Sequence, residues 1–490
     1  MKWRPLLLSP LLFIFLVSIS TVFHGLVLSH TIPEERDHQH SNKMRLELIH
    51  RHSPQLIGKL VHEASNNNMP KSQQERILQL VLRDTTRHRM ISHKRGQYGP
   101  NSRRKNWEFN TSIEMPMHSG ADYGAGEYFV QVRVGKPAQK FMLIADTGSD
   151  LTWVYCSTRN THKRRHGNHR RVFHADRSSS FETIPCLSNM CKVQLADLFS
   201  LTTCPTPITP CAYDFSYIDG SAALGIFADD TITVGLTNGR KMMLDNVLVG
   251  CTESTQGAAF KGADGVLGLG YGKFSFATKA AEKFGGKFSY CLVDHLSPMN
   301  ISNYLIFGGT RNEHSLLGNV RYTKLLLNVI PSSYAINVKG ISIGDVMLRI
   351  PFEVWDANVG GGTILDSGTS LTILAEPAYK PVMNALGMSL SKYKRLLSDI
   401  KPFEYCFNST GFDQSLVPRL VFHFADGARF EPLVKSYIID VAPQTKCLGF
   451  LSVRWPGTSI IGNIMQQNHL WEFDLVRSVV GFAPSSCTCT

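Results

Sequence analysis

Short alternations of apolar and polar residues, broken by Gly, Pro, Asn and Asp, recur from about residue 123 to the C-terminus and predict a mostly β body. Glu127–Val134 alternates as a half-buried strand, Gly135-Lys136-Pro137 is a turn, and Lys140–Ala145 is a second strand. Helical periodicity interrupts this texture near Lys279–Phe284 and Glu376–Leu386. Residues 30–115 are different: polar, charged, with one helix-like stretch at Glu75–Leu82 and a Gly-, Pro- and Asn-containing end that carries Arg103-Arg104-Lys105. That end reads as an exposed, cleavable linker. At the start, Lys2 and Arg4 lead into an apolar run through Val17 that fades near Ser29. This layout predicts a secretory signal peptide over residues 1–29, with a retained signal anchor as the second reading.

The body contains an internal repeat. Phe141–Val154 reads F-M-L-I-A-D-T-G-S-D-L-T-W-V, and Gly361–Leu374 reads G-G-T-I-L-D-S-G-T-S-L-T-I-L. Each is an apolar strand, an Asp-Thr/Ser-Gly-Ser/Thr turn and a second strand. Each also has a later apolar-apolar-Gly partner, Val266-Leu267-Gly268 and Ile460-Ile461-Gly462. Duplication on this scale implies two similar lobes, here residues 116–318 with Asp146 and 319–490 with Asp366.

Two facing carboxylates cannot both ionise easily, so they share a proton and titrate as a pair. One can then take a proton from water attacking a carbonyl while the other protonates the carbonyl oxygen. Asp146 and Asp366 are the candidates for such a pair. Gly148 and Gly368 let the chain turn sharply beside them, and the hydroxyls of Thr147, Ser149, Ser367 and Thr369 are placed to bond the carboxylates and brace the two turns. A lone Asp-Thr-Gly is most often only a turn; two in matched apolar frames weigh against that reading. An actin-like phosphate site would require Gly-rich phosphate loops and mixed helices in both halves, whereas strands dominate here. The chemistry calls for no metal and no cofactor, and polypeptides are the expected substrates. A carboxylate pair also changes the reading of residues 30–115, from a tether toward an inhibitory prosegment whose cations pair with an acidic site.

Composition adds limits. At 43% hydrophobic and 18% charged residues the chain is globular. The net charge of +12 suggests a nucleic-acid partner until it is located: residues 1–115 hold 17 Lys+Arg against 9 Asp+Glu, leaving the body close to neutral. No nucleic acid is therefore expected, nor a membrane after signal removal, and the body is expected to be a monomer. The eleven cysteines lack the paired short spacings of a zinc site. Behind a signal peptide they read as disulfides, with candidates Cys156, Cys186, Cys191, Cys204, Cys211, Cys251, Cys291, Cys406, Cys447 and Cys487, and Cys489 as the odd one. Asn110, Asn300 and Asn408 begin glycosylation sequons.

The chain resembles the pepsin-like family, and within it the plant nepenthesin-like branch. The resemblance covers nearly all of the sequence and rests on Ile49–Pro54 and Leu82-Arg83-Asp84 upstream, then Gly124–Trp153, Gly250-Cys251, Gly262–Gly270, Phe288–Leu292 and Ile460–Asn468. It implies a bilobal acid-protease fold with two related β-barrel-like lobes, the active site in the cleft between them, and synthesis as a zymogen with residues 30–115 as prosegment. It further implies that Tyr217 is the tyrosine of a β-hairpin flap over substrate and that Trp153 packs and bonds with it. Read from the residues alone, Tyr217 is equally a core aromatic of a strand. Ile218 stands where the family usually has glycine. Two cysteines of the branch's insertion before the flap are replaced by a basic run at 161–171, read as a solvated loop. The implied activity is an endopeptidase, and its rival is a catalytically silent pepsin-fold binding or inhibitor protein. The secretory pathway or extracellular space is the expected location, with the chloroplast as the alternative.

Overall fold

Residues 128–146 form the first unit of the fold because their apolar residues outnumber what one sheet face can use. The strand Tyr128–Val134 pairs antiparallel with Gln139–Asp146, from Phe129 opposite Ile144 to Val134 opposite Gln139. Phe129, Met142 and Ile144 face one apolar cluster, whereas Tyr128, Val130, Phe141 and Leu143 face another. Alternation thus buries both faces of the hairpin. The turn between the strands passes through Gly135 at φ +90°, a left-handed conformation suited to glycine.

The computed structural model describes residues 44–49, 74, 77, 78, 80, 81, 84, 85, 88, 113–119 and 128–487, the last range without 158–170, 200, 203, 205, 207, 217–221, 237–238, 257–262, 294–302, 309–315 and 397–402. The described residues lie in one unit, Ser41–Thr490. They are mostly β, in two lobes that repeat one topology. In the first lobe, Gly265–Gly268 runs parallel to residues 143–146 and antiparallel to 153–154. In the second, Ser459–Ile461 runs parallel to Thr363–Leu365 and antiparallel to Ile373. In both lobes a late apolar strand is therefore clasped between the strand entering the aspartate turn and the strand leaving it.

A shared sheet joins the lobes. Lys287–Cys291 pairs antiparallel with His469–Asp474, which pairs with Val479–Pro484, which in turn pairs with Arg321–Leu326. Phe288 and Phe473 stack at 4.6 Å across this junction, and Lys287 Nζ lies 2.9 Å from the buried carboxylate of Asp474. The disulfide Cys291–Cys487 ties the same region across 196 residues. The strand Met44–Ile49, within the expected prosegment, adds to the sheet beside Asn303–Phe307.

The two helices expected in the body follow their sequence periodicity and run slightly longer than expected. Phe276–Phe284 buries Phe276, Ala277, Ala280, Ala281 and Phe284, is capped by Ser275 Oγ accepting from Thr278 N, and ends at Gly285 with φ 80°. Glu376–Ser389 buries Ala378, Tyr379, Val382, Met383 and Leu386.

Ten cysteines form five disulfides: Cys156–Cys251, Cys186–Cys204, Cys191–Cys211, Cys291–Cys487 and Cys406–Cys447. The sulfurs of Cys186, Cys191 and Cys204 lie within 4.8 Å of one another. All three are consumed in disulfides, so they are not a thiolate ligand set. Cys489, Asn110, Asn300, the segment 1–29 and residues 161–170 lie outside the described residues.

His469 in the joining sheet gives the fold an acid-sensitive element. It is buried, with Nδ1 3.1 Å from the carbonyl of Gln467 and its ring edge-on to Phe430. Burial pushes its imidazole below the ordinary 6.5, although the Gln467 carbonyl and Glu431 pull the other way. The folded chain therefore binds this proton less readily than the unfolded chain. Its stabilising share is present above pH 6.5 and is lost as pH falls from there through the lowered folded value. His469→Gln is expected to flatten the fall of melting temperature between about pH 7 and about pH 5. Parallel melting profiles for wild type and variant would count against this assignment.

Candidate active site

The repeat brings Asp146 and Asp366 to equivalent turns. Asp146 ends the strand Gln139–Asp146, and Asp366 follows Thr363–Leu365. Their exposures are 2% and 0%. Two bonds to each carboxylate match atom for atom. Gly148 N donates to Asp146 Oδ1 at 2.8 Å, and Gly368 N to Asp366 Oδ1 at 2.9 Å. Ser149 Oγ donates to Asp146 Oδ2, and Thr369 Oγ1 to Asp366 Oδ2 at 2.6 Å. Each turn thus fixes its carboxylate with one amide and one hydroxyl.

The turns also grip each other. Thr147 N donates to Ser367 Oγ at 3.1 Å, while Ser367 N donates to Thr147 Oγ1 at 2.9 Å. Ser367 Oγ in turn donates to the Ala145 carbonyl at 2.8 Å. These bonds cross between lobes, from residues adjacent to each aspartate. They hold the two turns together in a site from which bulk water is largely removed, where such bonds are stronger and their loss costs more.

Beneath the Asp366 turn lies a polar layer that sequence reasoning matched to a family signature without assigning roles. Asn463 N donates to the Thr369 carbonyl at 2.7 Å, and Asn463 Nδ2 to the Ser367 carbonyl at 3.0 Å. Gln466 accepts from Tyr290 Oη at 2.6 Å and donates to the Ile461 carbonyl at 2.7 Å. Gln467 Nε2 donates to Tyr128 Oη, which donates to the Val293 carbonyl. Burial, with the charge of Asp366 adding to it, pushes the Tyr290 phenol well above its ordinary value, so it remains a donor. Asn463, Gln466 and Gln467 are all essentially buried, and polar residues directly after Ile460-Ile461-Gly462 were the available signal. Asp150 was missed as well. Its buried carboxylate accepts a hydrogen bond from Ser332 Oγ of the second lobe.

Trp153 lies on Thr152–Ser157, nearly buried, edge-on to Tyr155 at 5.4 Å and in a cluster with Ile144, Leu151 and Val266. Tyr217 and the hairpin tip around it lie outside the described residues. Asn408 Oδ1 accepts from Thr410 N within its own sequon.

Upstream helical positions reach this region. Ile77, Leu80 and Val81 are buried in the cluster that contains Ile364, Leu371, Ile373 and Ile460. Asp84 accepts from Ser370 N at 2.8 Å and from Leu371 N at 2.6 Å, and His88 Nε2 lies 3.0 Å from the Thr458 carbonyl. Sequence reasoning expected cations of this segment against the acidic site. The side chains of those cations lie outside the described residues; among the described ones, Asp84 is a carboxylate on the backbone N–H groups just after the Asp366 turn.

Comparison with known proteins places the chain in a family. Residues 128–309 match the family described as Xylanase inhibitor N-terminal, and residues 333–484 match Xylanase inhibitor C-terminal. Aspartyl protease family protein 2 of Arabidopsis thaliana is 36% identical over 377 residues, covering 75% of this chain and 73% of that protein. Aspartic proteinase nepenthesin-1 of Nepenthes gracilis is 30% identical over 486 residues, covering 97% of this chain and 98% of that protein. Among solved structures, soybean basic 7S globulin aligns with a TM-score of 0.59 at 20% identity, covering 76% of this chain and 95% of that one. Lupine conglutin gamma gives 0.60 at 21% identity, with 77% and 95% covered. At that identity the structural likeness speaks to the fold alone, whereas the sequence relatives speak to the family. The chain belongs to the pepsin-like aspartic proteases of plants, on their nepenthesin-like branch.

Proposed function

We propose that this aspartic endopeptidase hydrolyses internal peptide bonds with a water molecule held between Asp146 and Asp366, and that it is made as a zymogen. The observation that carries the reading is the matched bonding of the two carboxylates, joined to the cross-lobe grip of Thr147 and Ser367. One carboxylate removes a proton from the attacking water while the other donates to the substrate carbonyl oxygen, and the roles reset as the amine leaves. Neighbouring hydroxyls and amides keep both groups aimed, so little reorganisation is needed in the transition state. Trp153 and Tyr217 are assigned to the flap side of the cleft. The rival, a silent inhibitor or binding protein, has no use for two intact carboxylates with equivalent donors.

Five disulfides and the sequon at Asn408 support passage through an oxidising secretory route over the chloroplast. The zymogen reading is supported by the upstream residues seated beside the Asp366 turn. Processed protein is expected to cleave an unfolded protein substrate at mildly acidic pH and to be blocked by a peptide carrying a tetrahedral hydroxyl at the scissile position. Absence of cleavage from pH 3 to pH 7, a range spanning roughly the carboxylate and imidazole titrations, would favour the silent alternative.

A further inference from the structure

We propose that the backbone amides of Ser370 and Leu371 form a carboxylate-binding site beside the Asp366 turn, that Asp84 fills it in the full-length chain, and that this contact keeps the precursor latent. The latency part rests on the endopeptidase reading; the binding site does not.

The internal repeat locates the site within the second lobe. Counting from the aspartates, Ile144, Leu151 and Trp153 of the first repeat correspond to Ile364, Leu371 and Ile373 of the second, and Val266 corresponds to Ile460. These sets lie in two separate clusters, one in each lobe. In the first repeat the fourth residue after the aspartate is Asp150, whose buried carboxylate accepts from Ser332 Oγ. In the second that position is Ser370, and the carboxylate arrives from residue 84.

The fit is specific. Ile77, Leu80, Val81, Asp84 and His88 fall at helical spacing on one face, and all are less than a tenth exposed. Three apolar side chains bury against the Leu371 side of the second lobe. Asp84, 1% exposed, then places Oδ1 on Ser370 N and Oδ2 on Leu371 N. Two amides converging on one carboxylate form an anion site of the kind built from successive backbone N–H groups. The occupant covers the second lobe's counterpart of the Asp150-Leu151 segment, four and five residues beyond Asp366, so a substrate cannot lie against that backbone while Asp84 is seated.

Asp84→Asn tests the site, since it keeps the size of the side chain but turns a donor toward one of the two amides. Thr85→Ala, at an exposed neighbouring position, is the control. In the full-length chain at neutral pH, hydrogen exchange at the Ser370 and Leu371 amides is expected to accelerate at least tenfold in Asp84→Asn and not in Thr85→Ala. Unprocessed Asp84→Asn precursor is expected to cleave a peptide substrate at least tenfold faster than wild-type precursor, with Asp84→Glu in between. If the variant fails to fold, wild-type chain still decides the matter, because both amides must exchange faster once the prosegment has been cut away. Unchanged exchange on either comparison overturns the site, and unchanged latency in Asp84→Asn overturns the latch. Altered exchange in a protein that never cleaves peptides would instead remove the endopeptidase reading and leave the carboxylate site standing.

Discussion

Asp146→Asn and Asp366→Asn are each expected to lower kcat by about 10³-fold or more while leaving the fold intact, since proton transfer by a positioned side chain contributes roughly 10²–10⁴-fold. The two variants should behave alike because their surroundings are alike. In each, the retained carbonyl oxygen still accepts from Gly148 N or Gly368 N. The new amide group meets Ser149 Oγ or Thr369 Oγ1, a hydroxyl that can rotate to accept instead of donate. Stability should therefore change little, and a 10³-fold loss corresponds to about 4 kcal/mol at the barrier. KM should stay within a few-fold, and the double variant should be little worse than either single one, as groups acting as a unit are not additive. Steady-state kinetics on processed protein, beside melting curves, separate these terms. A kcat for Asp366→Asn within threefold of wild type would sink the mechanism.

The dyad was legible in the sequence because its frame is duplicated: Asp146 and Asp366 carry the same apolar approach, the same glycine and the same hydroxyl three residues on. The mostly β character and both body helices were legible for a related reason, periodicity being a local property. What was not legible depends on which backbone a side chain meets. Asn463 and Gln466 look like polar residues in a turn until the Thr369 carbonyl and Tyr290 are placed beside them. Asp84 stands among arginines, and charge counting made the segment a source of cations; only the docked geometry shows a carboxylate meeting two amides. The strand Met44–Ile49 did carry a signal, since M-R-L-E-L-I alternates, but its charges left it unmarked within a polar prosegment. Its partner at residues 303–307 is far away in the chain, and no local pattern announces that pairing.

Gly462→Ala and Gly268→Ala are expected to destabilise the protein by about 3 kcal/mol, the upper end for inserting a methyl group into a filled interior, and to reduce activity in the folded fraction by about 10²-fold, the cost of a misplacement near 1 Å. These are the glycines of the apolar-apolar-Gly partners. A Cβ on Gly462 would stand 2.3 Å from the Leu371 carbonyl oxygen and 2.7 Å from that of Ser370. One on Gly268 would stand 2.3 Å from the Asp150 carbonyl oxygen. Every one of these neighbours is backbone of the segment just past a catalytic candidate, and that backbone cannot retreat freely. Ile464 N holds the Ser370 carbonyl at 3.0 Å, and Asn463 N holds the Thr369 carbonyl at 2.7 Å. Relief must come from moving the aspartate turn itself, so stability and activity should fall together. Gly411→Ala separates this cause from the general cost of replacing glycine. Its φ of +69° makes alanine strained there, but no atom lies within 4 Å of the new Cβ. That variant should lose only about 1 kcal/mol, the left-handed penalty, and keep full kcat. Urea denaturation with kinetics on all three variants tests the contrast. If Gly462→Ala were no worse than Gly411→Ala, the glycine would owe its place to the turn and not to the crossing of two backbones behind Asp366.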